Sequence, residues 1–145
     1  MRAVLQRVTY ASVAVDERKI AEIQKGVVIL LGVGANDSEQ QAQYLVDKIV
    51  NLRIFEDEAG KMNRSLLEVE GQCLVVSQFT LYADIRKGRR PSFVDAALPE
   101  VARPLVDRFA ELMRTHGIPT QTGEFGAHML VSIMNDGPVT IWLER

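Results

Sequence analysis

The chain has 145 residues, of which 47% are hydrophobic and 25% are charged, and its formal net charge is −2. These values are ordinary for a soluble globular protein and predict one domain over residues 1–145. The slightly negative net charge excludes a molecule that attracts nucleic acid over its whole surface, so any RNA contact requires a local basic patch.

The compartment that the sequence predicts is the cytoplasm. The one cysteine, Cys73, lies in an apolar run and cannot form an intrachain disulfide, which indicates a reducing environment. The N-terminal residues lack the continuous apolar segment of a signal peptide. The longest apolar run, residues 27–33, is too short to span a bilayer, so no membrane association is expected.

The first half of the chain predicts strands followed by a helix. Three segments mix apolar and polar residues as half-buried strands do: residues 2–8, 12–15 and 20–23. Residues 27–33 are rich in β-branched side chains and predict a central strand. After the N-cap candidates Asn36, Asp37 and Ser38, apolar residues recur at helical spacing to about residue 52.

The second half predicts short strands around one more helix. The extended segments are residues 53–55, 61–63, 73–76, 119–122, 127–134 and 139–143. A turn is predicted at residues 135–138. A helix begins near Pro99 and ends at His116 and Gly117. Its predicted apolar face comprises Val101, Leu105, Phe109, Leu112 and Met113.

About ten short strands and two helices are predicted in total, and the helices are too few for a regular alternation with strands. The predicted fold class is therefore α+β, with mixed, mostly antiparallel β-sheets packed with two amphipathic helices in a single domain.

A polar cluster follows the buried strand at residues 73–76. It consists of Ser77, Gln78 and Thr80, with Phe79 between them. Polar side chains at the end of a rigid strand often carry chemistry, but the same pattern fits a strand that becomes half-exposed. Both interpretations stay open from this segment alone.

Conventional acid–base groups are scarce in the sequence. The histidines are His116, at a predicted helix end where a cation interacts with the helix dipole, and His128, at the start of a predicted strand, and such positions are more often structural than catalytic. Scattered histidine and cysteine positions do not suggest a zinc site, and no Walker A loop is present, so no metal and no cofactor are expected. An enzyme with this sequence relies on backbone donors, hydroxyl groups and its own substrate.

One basic segment lies in a predicted loop that contains Gly88 and Pro91. Its cations are Arg86, Lys87, Arg89 and Arg90. The segment fits either a solvated turn or a loop that contacts RNA phosphates, and the sequence alone does not decide between them.

Three segments together resemble the D-aminoacyl-tRNA deacylases, or D-tyrosyl-tRNA deacylase family. They are Ser77-Gln-Phe-Thr-Leu81, Lys87-Gly-Arg-Arg-Pro-Ser-Phe93 and Asn135-Asp-Gly-Pro-Val139. The resemblance extends to both ends of the chain, through Met-Arg-Ala-Val-Leu-Gln-Arg-Val at residues 1–8 and Gly-Glu-Phe-Gly-Ala-His-Met at residues 123–129.

The resemblance implies an editing hydrolase that cleaves the ester of D-aminoacyl-tRNA at its terminal adenosine and removes glycine mischarged on alanine tRNA. It also implies a homodimer with each active site at the interface. The catalytic segment from one subunit would comprise Ser77, Gln78, Phe79 and Thr80.

The same resemblance implies a substrate-binding set. Gly137 and Pro138, joined by a cis peptide bond, would reach in from the other subunit and block an L side chain, and Arg7 would brace them. Phe125 and Met129 would line the adenosine pocket. A rigid backbone block rejects one enantiomer regardless of side-chain type and lets glycine pass.

Two mechanisms remain open at this level. In one, Thr80 is the nucleophile, although the sequence supplies no base for it. In the other, the 2′-hydroxyl of the terminal ribose activates water while N–H groups around Phe79 and Thr80 stabilise the oxyanion, and we prefer this version. The alternative functions are a non-catalytic tRNA-binding module and a hydrolase of a non-tRNA ester or amide, which would have no helping 2′-hydroxyl.

Overall fold

The computed structural model describes residues 1–145, which form eight β-strands, two α-helices and a short 3-10 helix. The strands are β1 (Arg2–Val15), β2 (Arg18–Ile23), β3 (Gly26–Gly32), β4 (Phe55–Glu56), β5 (Met62–Arg64), β6 (Gln72–Ser77), β7 (Thr120–Thr122) and β8 (Leu130–Glu144). The helices are α1 (Glu39–Asn51), the 3-10 helix (Phe79–Tyr82) and α2 (Pro99–Thr115). The predicted α+β class is confirmed, because a mixed sheet packs with two helices.

Strand β1 organises the main sheet. Its side chains alternate, so that Ala3 and Leu5 are fully buried while Arg2 and Gln6 are partly exposed. One edge of β1 pairs antiparallel with β3 and then β2, and the other edge pairs antiparallel with β8 along nearly its whole length. Beyond β3 the sheet continues in parallel to β6 and β7. Parallel neighbours need long crossover connections, and α1 and α2 lie within them.

The larger core lies between the sheet and the two helices. Leu45 and Ile49 of α1 and Phe109 and Met113 of α2 are buried there at helical spacing, and they belong to one cluster with Ile29 of β3. Each such side chain contributes roughly 1.5–3 kcal/mol when it is fully buried. Neither helix is both long and apolar enough to cross a membrane.

A smaller core forms on the other face because the sheet curls. Its eight buried residues include Val28 of β3 and Leu74 of β6. The curl brings β2 towards β6 and β7, where the Glu22 N–H donates to Gln121 Oε1 at 3.0 Å. The Gln24 N–H likewise donates to Gln72 Oε1 at 2.8 Å, just beyond the end of β2. Both faces of β3 and β6 are therefore buried, as their apolar sequences predict.

The two helices agree with the sequence, but the buried face of α2 was predicted partly wrongly. Val101 is 41% exposed, whereas Ala102 and Val106 are buried. The buried stripe runs through residues 102, 106, 109 and 113, which share one face of the helix, and Val101 lies beside that stripe.

The turn predicted at residues 135–138 is wrong, because those residues lie within the single strand β8. Gln6 pairs with Thr140 and Val8 pairs with Asn135, so two steps along β1 correspond to five along β8. The three extra residues form a bulge in β8 that contains Gly137 and Pro138. Both halves of β8 pair with β1 and not with each other. Local turn residues do not reveal this, because the pairing partner is more than 100 residues away in the sequence. The strands predicted at residues 2–8 and 12–15 are likewise one strand.

The N-terminus is part of the folded structure rather than a free end. The Met1 ammonium group donates to Asp37 Oδ1 at 2.5 Å and also to the Arg145 carbonyl. Asp37 Oδ2 accepts from the Gly34 N–H at 2.6 Å and from the Tyr82 hydroxyl at 3.3 Å. Burial, followed by the Asp37 charge, raises the pKa of the Tyr82 hydroxyl, which therefore stays a donor. One carboxylate thus joins the chain start, the loop after β3 and the end of the 3-10 helix.

We expect Asp37→Asn to lower the free energy of unfolding by about 2 kcal/mol, because a buried ammonium group loses its charged partner. Urea denaturation at one fixed protein concentration measures the effect. Asp16→Asn is the matched control, since Asp16 is exposed at the β1–β2 turn and should change stability by less than about 0.5 kcal/mol. Equal midpoints for the two variants would contradict the role of Asp37.

Candidate functional site

The catalytic segment predicted from the sequence begins where β6 leaves the sheet. Ser77 pairs with Leu31 of β3, and the Gln78 N–H donates to the Leu31 carbonyl at 2.8 Å. The chain then turns into the 3-10 helix instead of continuing as a strand. Gly32 permits this turn, because a Cβ at that position would lie 3.0 Å from the Gln78 carbonyl oxygen and 3.2 Å from Tyr82.

The side chains of this segment differ in exposure and in partners. Ser77 and Gln78 are partly buried, whereas Phe79 and Thr80 are exposed. The Gln78 side-chain amide donates to the Thr80 hydroxyl oxygen. The N–H groups of Phe79 and Thr80 open the 3-10 helix and have no acceptor within it, so they are available to a ligand.

A cavity of about 370 Å³ lies beside this segment. Its walls come from the end of β3, the catalytic segment, the N-terminal part of α2 and the loops before α2 and β8. The lining residues are Leu31, Val33, Ser77, Gln78, Phe79, Phe93, Ala96, Ala97, Leu98, Pro99, Ala102, Val106, Phe125 and Gly126. None of these side chains is ionisable, so the cavity itself supplies no acid, base or charge.

Aromatic rings stand on two sides of the cavity. The rings of Phe79 and Phe93 meet edge to face, with centroids 4.9 Å apart and an interplanar angle of 70°. Phe125 lines another wall, and the Arg103 guanidinium lies 4.8 Å from its ring centroid. The segment that carries Phe93 is held by the Ala97 N–H, which donates to the Val33 carbonyl at 2.9 Å. Aromatic walls of this kind suit a flat heterocycle.

The second group of predicted site residues lies in the bulge of β8. The Gly137–Pro138 peptide bond is cis, and Gly137 has a φ of +119°. The Asn135 side-chain amide donates to the carbonyls of Arg7 and Val139, at 2.9 and 3.0 Å, and so closes the base of the bulge. The bulge is therefore tied to β1 by side-chain as well as backbone bonds.

Arg7 lies against this bulge, as the resemblance implies, and is only 5% exposed. Its Nη1 donates to the Ile54 carbonyl at 2.6 Å. Its Nε lies 3.0 Å from Asp136 Oδ2, yet the N–H is not directed at that oxygen and has no hydrogen-bond partner. The contact with Asp136 is therefore an ion pair without a hydrogen bond. Glu56 lies farther away, with its Oε1 3.9 Å from Arg7 Nη2.

One chain does not bring these two groups together. Ser77 pairs with Leu31, which pairs with Ala3, whereas Asn135 pairs with Val8 at another level of the sheet. The row of Ser77 and the row of Asn135 are five residues apart along the strands, and the two residues are three strands apart across the sheet. Together these separations amount to roughly 20 Å. The structure thus gathers Ser77 to Phe79 with Phe125, and it holds Gly137, Pro138 and Arg7 elsewhere.

Met129 and the histidines lie outside the cavity wall. Met129 packs behind Gly123, and its sulfur lies 2.6 Å from the position that a Cβ added to residue 123 would occupy. Met129 also packs against the smaller core. His116 Nε2 lies 3.1 Å from Asp47 and joins the two helices. His128 is exposed and precedes β8 rather than beginning it. Neither histidine lines the cavity.

Sequence reasoning missed most of the cavity wall. Leu31 and Val33 were assigned only to a buried strand, and Ala96, Ala97 and Leu98 received no role. The available signal was the run of small apolar residues directly before the helix start at Pro99. Such a run looks like an ordinary connection unless the opposite wall is known.

Comparisons with known proteins agree with one another. The family model described as D-Tyr-tRNA(Tyr) deacylase matches residues 4–144. A protein of Thermomicrobium roseum named D-aminoacyl-tRNA deacylase is 62% identical over 144 residues, covering 99% of this chain and 94% of that protein. A solved structure named "c-Myc DNA Unwinding Element Binding Protein" is 43% identical, with a TM-score of 0.93 over 100% of this chain and 99% of that one.

A more distant solved structure supports the fold alone. It is named "Structural Analysis of a probable eukaryotic D-amino acid tRNA deacylase" and is 20% identical, with a TM-score of 0.86. The alignment covers 98% of this chain and 97% of that one.

We expect Gly137→Ala to lower the free energy of unfolding by about 2–4 kcal/mol, because the residue has positive φ and lacks space. A Cβ would meet Val139 Cγ2 at 2.9 Å and Arg7 Nη2 at 3.2 Å. Gly60→Ala is the matched control, because Gly60 has a φ of +72° with no atom within 4 Å and should cost only about 1 kcal/mol. Denaturation in urea compares them, and similar losses would show that the bulge is not tightly packed.

Proposed function

The chain belongs to the D-Tyr-tRNA(Tyr) deacylase family of ester hydrolases, and we propose that it cleaves the ester between a D-amino acid and the terminal adenosine of tRNA. The observation that carries the proposal is the cavity of about 370 Å³ beside Ser77, Gln78 and Phe79. Its apolar, aromatic walls suit an adenine ring, and a ribose ester at its mouth would lie next to the catalytic segment. The cytoplasm, where charged tRNA is used, is the proposed compartment.

In the proposed mechanism the substrate relays the proton itself: the 2′-hydroxyl accepts the proton of the attacking water and passes its own proton to the departing 3′-oxygen of the ribose. Because no ionisable side chain lines the cavity, the 2′-hydroxyl of the terminal ribose is the group best placed to activate water. The N–H groups of Phe79 and Thr80 would donate to the oxyanion of the tetrahedral intermediate. Each such donor contributes about 3–4 kcal/mol of transition-state stabilisation.

The structure gives no support to Thr80 as a nucleophile. Its hydroxyl oxygen accepts a hydrogen bond from the Gln78 amide, and an amide N–H cannot take a proton from the hydroxyl. A nucleophilic hydroxyl requires a base within hydrogen-bond reach, and no histidine or carboxylate lines the cavity. In this mechanism Thr80 has an orienting role.

Stereochemical rejection is assigned to the bulge of a second copy of the chain. The bulge and the cavity of one chain are roughly 20 Å apart by strand spacing, so a composite site requires a homodimer. Edge strand β8 offers a surface for it, since Leu130, Met134 and Trp142 are 69%, 60% and 51% exposed. The backbone at Gly137 and Pro138 would then exclude an L side chain and admit glycine. Sedimentation as a monomer at assay concentrations would refute this arrangement.

A second candidate is a nucleic-acid-binding module without catalysis. The exposed basic loop at residues 86–90 favours it, and so does the name of the 43% identical solved structure, which refers to binding of a DNA element. This candidate leaves the apolar cavity unexplained, because phosphate binding needs no such pocket. It predicts salt-sensitive tRNA binding without ester cleavage.

We expect the purified protein to release the amino acid from D-aminoacyl-tRNA and glycyl-tRNA(Ala), but not from the matching L-aminoacyl-tRNA. The bulge blocks only the direction in which an L side chain projects from the Cα. Time courses with the same tRNA charged with D- and L-tyrosine measure the selectivity. Equal hydrolysis of both enantiomers would remove the chiral role of the bulge, and hydrolysis of neither would sink the enzymatic proposal.

We also expect Thr80→Ala to keep the single-turnover rate within about tenfold of the wild type. A substrate with a terminal 2′-deoxyadenosine should react about 100-fold more slowly or worse, which corresponds to at least about 2.7 kcal/mol. Rapid-quench assays with saturating protein separate chemistry from binding. If Thr80→Ala bound the substrate normally but did not turn over, the mechanism without a covalent intermediate would have to be abandoned.

A further inference from the structure

The loop between the 3-10 helix and α2 contains a closed basic turn. Asp84 and Ser92 form an isolated antiparallel bridge, with reciprocal N–H to carbonyl bonds of 2.8 and 2.9 Å. This bridge fixes the two ends of residues 85–91, so the turn between them is anchored. Gly88, with a φ of +73° and open space around it, allows the chain to reverse there.

One cation of this turn is already neutralised. Arg86 donates from Nε and Nη2 to the two oxygens of Asp84, at 2.9 and 2.7 Å, and its backbone N–H donates to Asp84 Oδ1 at 2.9 Å. The side-chain hydrogen bonds from Arg86 lower the pKa of the Asp84 carboxyl to about 2, so the pair stays ionised at neutral pH. Arg86 therefore serves the shape of the turn rather than a ligand.

The other three cations of the turn are unpaired. Lys87, Arg89 and Arg90 are exposed, and none forms an ion pair with a carboxylate. Other basic residues near the cavity are engaged: Arg2 pairs with Glu144 and stacks on Tyr82, and Arg103 stacks on Phe125. Three free positive charges in one anchored turn therefore stand out on a chain whose net charge is −2.

The turn adjoins the cavity directly. Ser92, which closes it, is followed by Phe93, whose ring lines the cavity and contacts Phe79. The cavity has no cation of its own, so the phosphates of a nucleotide chain whose terminal adenosine occupies it must be met outside its mouth. Lys87, Arg89 and Arg90 precede Phe93 of the cavity wall by only three to six residues.

We propose that Lys87, Arg89 and Arg90 form a phosphate-binding rim that contacts the RNA backbone next to the terminal adenosine of tRNA. The proposal rests on the proposed function for the identity of the RNA. It assigns the apolar cavity to the terminal nucleoside and the rim to the phosphodiesters that precede it. Phosphate contacts position a nucleic acid without reading its sequence, so the rim suits an enzyme that acts on many tRNAs.

The test compares two double variants on two substrates. Arg89→Ala/Arg90→Ala removes two rim charges, and Arg18→Ala/Lys48→Ala removes two exposed charges elsewhere that form no ion pair. Arg18 pairs with Val15, which lies roughly 40 Å along β1 from Ala3. Ala3 is the residue of β1 that is level with Ser77 of the cavity wall. The substrates are D-tyrosyl-tRNA and the D-tyrosyl ester of adenosine, which has no phosphate.

We expect the rim variant to raise KM for D-tyrosyl-tRNA about tenfold at roughly 100 mM salt, with kcat within about twofold. Its kinetics on the adenosine ester should match the wild type, and the control variant should match the wild type on both substrates. The slope of log KM against log salt should become shallower by about 1.4, because each contact to a single strand contributes about 0.7.

Three outcomes would overturn the rim. An unchanged KM for the tRNA would make the turn a solvated surface, and an equal loss on both substrates would make its residues part of the cavity structure. An effect of the same size in the control variant would show that the loss reflects the overall charge of the protein and not a specific phosphate contact. If the wild type hydrolysed neither substrate, the proposed function would fail. The affinity of the same variants for uncharged tRNA would still show whether the rim binds RNA.

Discussion

The pairing of β1 with strands on both of its edges is the constraint on which the rest of the structure depends. On one side, the register through β3 to β6 places Ser77 level with Ala3 and delivers the proposed catalytic segment to the cavity. On the other side, β8 is paired with β1 and carries its bulge at the level of Val8. Backbone ladders hold these levels rigidly, so no side-chain rotation can bring the two groups of site residues together within one chain.

That rigidity suits the task assigned to each part. A flexible side chain could yield to an L amino acid, whereas backbone atoms in a bulge braced by Asn135 and Arg7 have little freedom to move. The catalytic segment is held in a similar way, by the Leu31 carbonyl at its start and by the network of Asp37, Tyr82 and the N-terminal ammonium group at its end. A site that acts through backbone donors needs this support, because a donor displaced by about 1 Å loses most of its effect.

The sequence predicted those features that local patterns encode. Periodicity identified α1, α2 and the buried strands β3 and β6, and Ser77 and Gln78 of the predicted polar cluster line the cavity whereas Thr80 does not. Prediction from the sequence failed where the structure depends on contacts between distant segments. The residues around Gly137 look like a hairpin turn, and only their pairing with β1 makes them a bulge. Ser38, one of the three N-cap candidates, does cap α1, but the sequence did not indicate that Asp37 binds the N-terminus from 36 residues away.

The absence of ionisable groups from the cavity limits the reactions that this site can favour. An apolar pocket can enclose the adenine ring but cannot itself remove a proton. A substrate without a hydroxyl next to its ester therefore has no group there that activates water. An RNA 3′ end brings that hydroxyl on the reacting ribose. In the proposed mechanism the dependence on the substrate is itself a source of selectivity, because an ester that lacks a vicinal hydroxyl would find no group in the cavity wall to activate water. Placing cations on an outer loop instead of in the cavity preserves this property, because the charge that holds the phosphates lies away from the reacting carbonyl.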